Sequence, residues 1–216
     1  MKRTVFYLLF TVCCLALCGQ SSTQHLYLVR HAAVDMDKPA FVGVRRAADL
    51  YQKYNLCPIT AFDGASVRQQ IEAENPAVYS STMLRAAETA AIVFPGDSIH
   101  AKPLFNEYEM GITGIPLLQM PYVGWTGLSR LFWQLHLNNQ EESRWLARKR
   151  MKKAAARLEL YAQRRGSVVL FAHGLLIRDL RHQLQKQGWV LEKTGETKTW
   201  PYPILQRFPI HDFRCS

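Results

Sequence analysis
The sequence predicts an α/β fold, a three-layer sandwich with a mostly parallel central sheet and a helical cap insertion. Three observations lead there. Short apolar runs recur at 25–30, 76–80 and 168–172, each the length of a buried strand and too short for a stable helix. Each is followed by a stretch with helical spacing, and strands alternating with helices make a parallel sheet covered on both faces. The segment 115–139 interrupts the alternation with an apolar insertion that holds Trp125, Phe132 and Trp133. Hydrophobic residues at 48% and charged residues at 20% exclude a disordered chain, a collagen-like repeat and a multi-span membrane protein.

The chain opens on Lys2 and Arg3, then an apolar run of 14 residues, 5–18, interrupted by Thr11. A spanning helix needs roughly 18 or more such residues, whereas a short positive region before a short apolar core fits an export signal. We read 1–18 as a signal peptide cut between 18 and 24, with Ala16 at the −3 position for a cut after Cys18. Lipidation at Cys18, disfavoured by the bulky Leu17 directly before it, and retention as an N-terminal anchor stay open. The expected location is periplasmic or secreted, or membrane-anchored through the N-terminus. Outside this leader only Cys57 and Cys215 remain. Oxidising surroundings permit them to join or to stay thiols, and their spacing is not that of a zinc site. Neither a metal nor another cofactor is expected.

The remainder, 25–216, reads as one domain with the cap at 115–139. The strand at 25–30 is followed by a helix over 42–55, where Val44, Ala47, Ala48 and Tyr51 share a face. The strand at 76–80 leads to an Ala-rich helix over 82–94, closed by Pro95 and Gly96. In the cap, Leu128, Leu131, Phe132 and Leu135 fall at i, i+3, i+4 and i+7, the expected packed face of a helix. A long basic helix over 141–165 has Ala147, Met151, Ala154, Leu158 and Tyr161 on one side. Its other side carries Arg144, Arg148, Lys149, Lys152, Lys153 and Arg157. The strand at 168–172 precedes a helix over 175–187 that stops at Gly188. Pro201, Pro203 and Pro209 place any strand of the tail at a sheet edge.

The chemistry lies where strands end. In open parallel sheets, ligands bind at the carboxyl ends of the strands. The first strand ends in Arg30 and His31. The second ends at Ser80 and Ser81, and Arg85 follows on the first turn of a helix, where a guanidinium and unpaired N–H groups suit a phosphate. The third ends in His173 and Gly174. If the three strands are neighbours, two arginines and two histidines meet in a cationic pocket suited to phosphoryl transfer onto imidazole.

These segments resemble the histidine phosphatase superfamily, which also contains the phosphoglycerate mutases. The Arg-His-Gly motif stands here as Arg30-His31-Ala32. The Ser-x-x-x-Arg-Ala-x-x-Thr-Ala motif matches Ser81 to Ala90 at each fixed position. The His-Gly motif with Ile-Arg behind it matches His173, Gly174, Ile177 and Arg178, and the acid motif matches Glu107 and Gly111. The resemblance implies that His31 is the nucleophile, that Arg30, Arg85 and His173 hold the phosphoryl oxygens, and that Glu107 is the catalytic acid, with Glu109 as its rival. His173 would count among both the catalytic and the phosphate-binding residues. Two departures stand out. Ala32 replaces a glycine, which is costly only if that residue needs a positive φ. Asp37 stands where the family often has a phosphate-touching Asn, so either the loop is rearranged or Asp37 points away.

The function so implied is an exported phosphatase that hydrolyses a phosphomonoester through a phosphohistidine on His31. A phosphomutase of the same fold and a non-catalytic phosphate-binding domain are the alternatives. Export and the short chain disfavour the mutase, and the presence of His31 with both arginines disfavours the non-catalytic domain. Lys and Arg total 27 against 17 Asp and Glu, +10 formally, which favours anionic partners. No nucleic-acid motif is present. The expected partners are a small-molecule or lipid-linked phosphomonoester and, through the basic helix, an anionic membrane or lipopolysaccharide surface.

Overall fold
The structure, a computed structural model, describes residues 24–137 and 142–192, and the backbone alone of 193–194 and 205–210. The leader and Cys215 lie outside the described residues. Strand β1 (Gln24–Arg30) is followed by β2 (Val42–Gly43), helix α1 (Val44–Leu56) and helix α2 (Gly64–Gln69). Then come β3 (Ala77–Ser80), α3 (Leu84–Val93), β4 (Ile99–Ala101) and a 3-10 turn (Pro103–Phe105). The cap comprises β5 (Gln119–Met120) and α4 (Tyr122–Gln134), and the long helix α5 (Arg144–Arg165) returns the chain to the sheet. The described chain ends with β6 (Ser167–Ala172), α6 (Gly174–Lys186), β7 (Lys193–Thr194) and β8 (Leu205–Ile210).

The sheet order is β4-β3-β6-β1-β8-β7. The pairs β4–β3, β3–β6 and β6–β1 are parallel, and β8 runs antiparallel to both of its neighbours. Side chains alternate across the pleat, and the alternation builds two cores. Leu26, Leu28, Val168, Leu170 and Ala172 face Ala147, Met151, Ala154 and Leu158 of α5 and Leu176, Leu180 and Leu184 of α6. Tyr27, Val29, Val169 and Phe171 face Val67 of α2, Ala90 and Val93 of α3, and Phe94. This is the three-layer α/β sandwich the alternating pattern predicts.

Two expectations need correction. The packed face of the cap helix is not the leucine stripe. Tyr122, Trp125, Ser129 and Trp133 are buried, while Leu131 and Leu135 are 51% and 57% exposed. Both stripes have helical spacing, but aromatic rings bury more surface each, and both indole N–H groups are satisfied. Trp125 donates to the Val42 carbonyl and Trp133 to the Glu142 carbonyl, each at 2.7 Å. Gly114 makes room for the rotated face, because a Cβ there would stand 2.1 Å from the Trp125 ring. The second correction concerns the tail. Strand β8 lies inside the sheet, between β1 and β7. Pro209 is tolerated because β7 pairs only with Arg207 and Gln206, leaving the proline opposite β1 alone.

Candidate active site
Parallel register places the site. Arg30 of β1 pairs with Ala172 of β6, and Ser80 of β3 with Phe171. His31, His173 and Ser81 therefore emerge side by side at the carboxyl edge of the sheet. The pairing continues one residue further, with His31 N–H on the Ala172 carbonyl and Ser81 N–H on the Phe171 carbonyl, both at 2.9 Å. The two imidazole rings lie 5.1 Å apart, centroid to centroid. Arg85 reaches the same point from the first turn of α3. A cavity of about 270 Å³ opens here, and Arg30, His31, Arg85 and Glu107 line it.

The protonation of His31 follows from its partners. Its Nδ1 lies 2.6 Å from the Ala32 carbonyl, which can only accept, so Nδ1 carries the proton. Its Nε2 is then the unprotonated nitrogen, and it accepts from Arg85 Nε at 3.3 Å. Burial first, and then the Arg85 charge, hold this imidazole down at about 3, against the bond to Ala32. The ring is thus neutral at ordinary pH, with a lone pair at the cavity. The Ala32 peptide is itself clamped. Its N–H donates to Thr89 Oγ1 at 3.0 Å, and the Thr89 hydroxyl donates to the Arg85 carbonyl at 2.6 Å. One turn of α3 thereby ties the loop after His31 to the arginine that faces it.

His173 is held by a chain of bonds whose direction can be worked out. Asn106 Oδ1 accepts from the Thr82 backbone N–H at 2.9 Å, so that atom is the amide oxygen. Ser81 donates its hydroxyl proton to the same oxygen at 2.8 Å. The Ser81 oxygen must then accept from His173 at 2.8 Å, which places a proton on His173 Nε2. His173 Nδ1 is buried without a hydrogen-bond partner. Burial, Arg85 and His31 lower the pKa of this ring well below the usual histidine range.

Glu107 caps α6. Its Oε1 accepts from Tyr108 and Leu176 N–H at 3.2 and 3.1 Å, and its Oε2 from Leu175 N–H at 3.2 Å. Oε2 keeps a lone pair for a proton. Burial raises the carboxyl pKa against the pull of these N–H groups, as a catalytic acid requires. Glu109 is exposed and does not line the cavity. Behind the cradle, Arg85 Nη1 donates to Asn55 Oδ1 at 3.0 Å and its guanidinium lies 4.9 Å from the Tyr54 ring centroid.

The sequence profile of the histidine phosphatase superfamily (branch 1) matches residues 26–194. The chain belongs to the histidine phosphatase superfamily. No curated protein sequence matches it closely. Solved structures share the fold. The mycobacterial glucosyl-3-phosphoglycerate phosphatase is 19% identical with a TM-score of 0.52, over 76% of this chain and 80% of that one. YhfR of Bacillus stearothermophilus is 20% identical at 0.52, over 75% and 80%. The alpha-ribazole phosphatase of Shigella flexneri is 16% identical at 0.51, over 84% and 94%.

Both departures from the histidine phosphatase motifs fit the structure. Ala32 is buried with a negative φ, so it needs no glycine. Asp37 is exposed and outside the cavity lining, and the amide beside the cradle is Asn55 instead. Gly111 of the acid motif has φ +53° and lines the cavity, a conformation that favours glycine. The structure also brings in residues the motifs did not mark. Tyr51, Tyr54, Met110 and Ile112 form much of the wall, and Thr126, Ser129 and Arg130 reach it from the cap helix. Arg130 alone among these had a legible signal, as a lone cation in an apolar insertion. Among the described residues no three His, Cys, Asp or Glu side chains cluster as a metal-ligand set, and no helix is long and apolar enough to cross a membrane.

Proposed function
We propose that the chain is an exported phosphoric monoester hydrolase working through a phosphohistidine on His31. One observation carries the reading. The His31 imidazole has its Nδ1–H tied to Ala32 and its unprotonated Nε2 at a cavity lined by Arg30, Arg85 and Glu107. In the first step Nε2 attacks phosphorus, and an N–P bond forms as the P–O bond to the alcohol breaks. The electron pair leaves on the alcohol oxygen, which takes the proton of Glu107. The Glu107 carboxylate then takes a proton from water as that water attacks phosphorus. The N–P bond breaks, inorganic phosphate leaves, and His31 returns neutral. Arg30 and Arg85 hold the phosphoryl oxygens, where charge sits in the transition state, while His173, its one N–H committed to Ser81, packs beside the His31 ring. The bond from Nδ1–H to Ala32 strengthens as the ring becomes cationic, and the acid contributes roughly 10²–10⁴-fold. Two guanidinium groups supply the positive charge, so the step requires no metal.

Export rests on Lys2, Arg3 and the apolar run 5–18. The wall of Tyr51, Tyr54, Met110 and Ile112 favours a substrate whose alcohol has an apolar portion, such as a lipid-linked phosphomonoester. Trp145 and Leu146, 64% and 50% exposed, stand beside Arg148, Lys149 and Lys152 at the start of α5, a mixture suited to an anionic lipid surface.

The test is phosphate release from p-nitrophenyl phosphate by the leader-less protein. Activity resists chelator and falls by more than about 10³-fold in His31→Ala. Dependence on added Mg²⁺, or full activity in His31→Ala, rejects the mechanism. A panel of sugar, lipid, nucleotide and peptide phosphates tests the wall, and highest turnover on small polar sugar phosphates removes the apolar-substrate reading. Sedimentation with phosphatidylglycerol vesicles at low salt tests the surface contact, which is rejected if no protein is carried down.

A further inference from the structure
Arg150 differs from the other cations of α5. Most of those face solvent, but Arg150 turns inward and every N–H of its guanidinium has an acceptor. Nε and Nη2 meet the two oxygens of Glu142 at 2.8 and 2.7 Å. Nη1 donates to the carbonyls of Asn106 at 2.7 Å and Leu104 at 3.3 Å, and Nη2 also to the carbonyl of Glu107 at 3.3 Å. The guanidinium carbon lies 5.5 Å from the Tyr108 ring centroid, and Tyr108 stacks on Trp133 of the cap. One planar group therefore grips three carbonyls around the acid.

That loop needs a grip. After the 3-10 turn it belongs to neither a helix nor a sheet, so its carbonyls must find donors elsewhere. The two residues held most directly send their side chains to different parts of the site. Asn106 fixes the Ser81–His173 chain, and Glu107 sits on the first N–H groups of α6. A shift of the 104–107 backbone would move both at once.

We infer that Arg150, oriented by Glu142, is a positioning residue that sets the Glu107 proton against the leaving oxygen. The inference rests on Glu107 being the acid. Only a rigid fork reaches five acceptors in this arrangement, and a lysine retains the charge but not the geometry.

The experiment compares two substrates of unlike leaving group, an alkyl phosphate and 2,4-dinitrophenyl phosphate. The alkoxide needs a proton to depart and the dinitrophenolate does not. Arg150→Lys lowers kcat/KM on the alkyl phosphate by about 10²-fold and on the dinitrophenyl ester by less than about five-fold, as expected when a catalytic group is displaced by a fraction of an ångström to an ångström. Glu142→Gln, a milder change, shows the same bias at about ten-fold against two-fold, and it decides the matter if Arg150→Lys does not fold. Equal losses on both substrates, or no loss on either, overturn the inference. Glu107→Gln measured alongside separates the two layers. If it shows no leaving-group bias, the acid assignment itself has failed. If it shows the bias and the clamp variants do not, only the role of Arg150 falls.

Discussion
The floor of the pocket and its wall are built by different means. On the floor, strand register and short hydrogen bonds fix the side chains proposed to be catalytic. His31 is tied to Ala32, Ala32 to Thr89, His173 to Ser81 and Glu107 to the start of α6. The wall is Tyr51 and Tyr54 of α1, Met110 and Ile112, and a helix laid across the opening, packed by Tyr122, Trp125 and Trp133, with Thr126, Ser129 and Arg130 facing in and Leu131 and Leu135 left exposed. The difference separates two tasks. A floor held by register performs one reaction, while a wall held by side-chain packing is free to vary and so to choose the alcohol.

The sharpest way to break this division is on the floor. Arg85→Ala removes a donor from the phosphoryl group and from His31 together, and lowers kcat/KM by about 10²–10³-fold on every substrate alike. A loss confined to one class of alcohol would place Arg85 in the wall's task instead. Steady-state rates on an aryl and an alkyl phosphate decide it.

The floor also sets an acid limit on stability. His31 is held at about 3 by burial and by Arg85, and His173 is lowered by burial and the same arginine. In the unfolded chain both titrate near the ordinary histidine value, about 6.5. Their folded pKa values are depressed, so stability is full above pH 6.5 and is lost as pH falls from there toward 3. For His31 alone the loss is at most about 4 kcal/mol across that window. Denaturant midpoints at pH 7 and pH 4 measure it, and in His31→Gln the difference between the two midpoints shrinks. A midpoint that did not move with pH would mean that the histidines are not buried neutral.

The smallest effect is expected at the wall. Ile112→Ser lowers kcat/KM by about ten-fold on an apolar-tailed phosphomonoester, since an apolar pocket contact discriminates by roughly 1–3 kcal/mol. Rates on a small aryl phosphate change much less. An equal loss on both would show that wall and floor are not separable.

Much of the floor was legible in the sequence because it occupies junctions. A buried strand must end, and Arg30, His31, His173 and Arg85 sit where strand gives way to helix at motif spacing. Glu107 was legible through its distance from Gly111. What could not be read works across long separations in the chain. Thr89 meets Ala32 57 residues away, Ser81 meets His173 92 away, and Arg150 meets the Asn106 carbonyl 44 away. None of these leaves a local pattern, and Arg150 is hidden among cations that face water. The cap face was misread for a different reason. A leucine stripe and an aromatic stripe both had helical period, and only burial against Val42 and Gly114 chooses between them.

The most direct test of the account is to trap the intermediate. The leader-less enzyme, mixed with excess p-nitrophenyl phosphate and quenched in alkali, is digested and its peptides are mapped by mass spectrometry. The account predicts one acid-labile, alkali-stable phosphate on the peptide that holds His31, absent from His31→Ala. Phosphate found on another residue, or rapid turnover with no phosphoenzyme at any quench time, would contradict it.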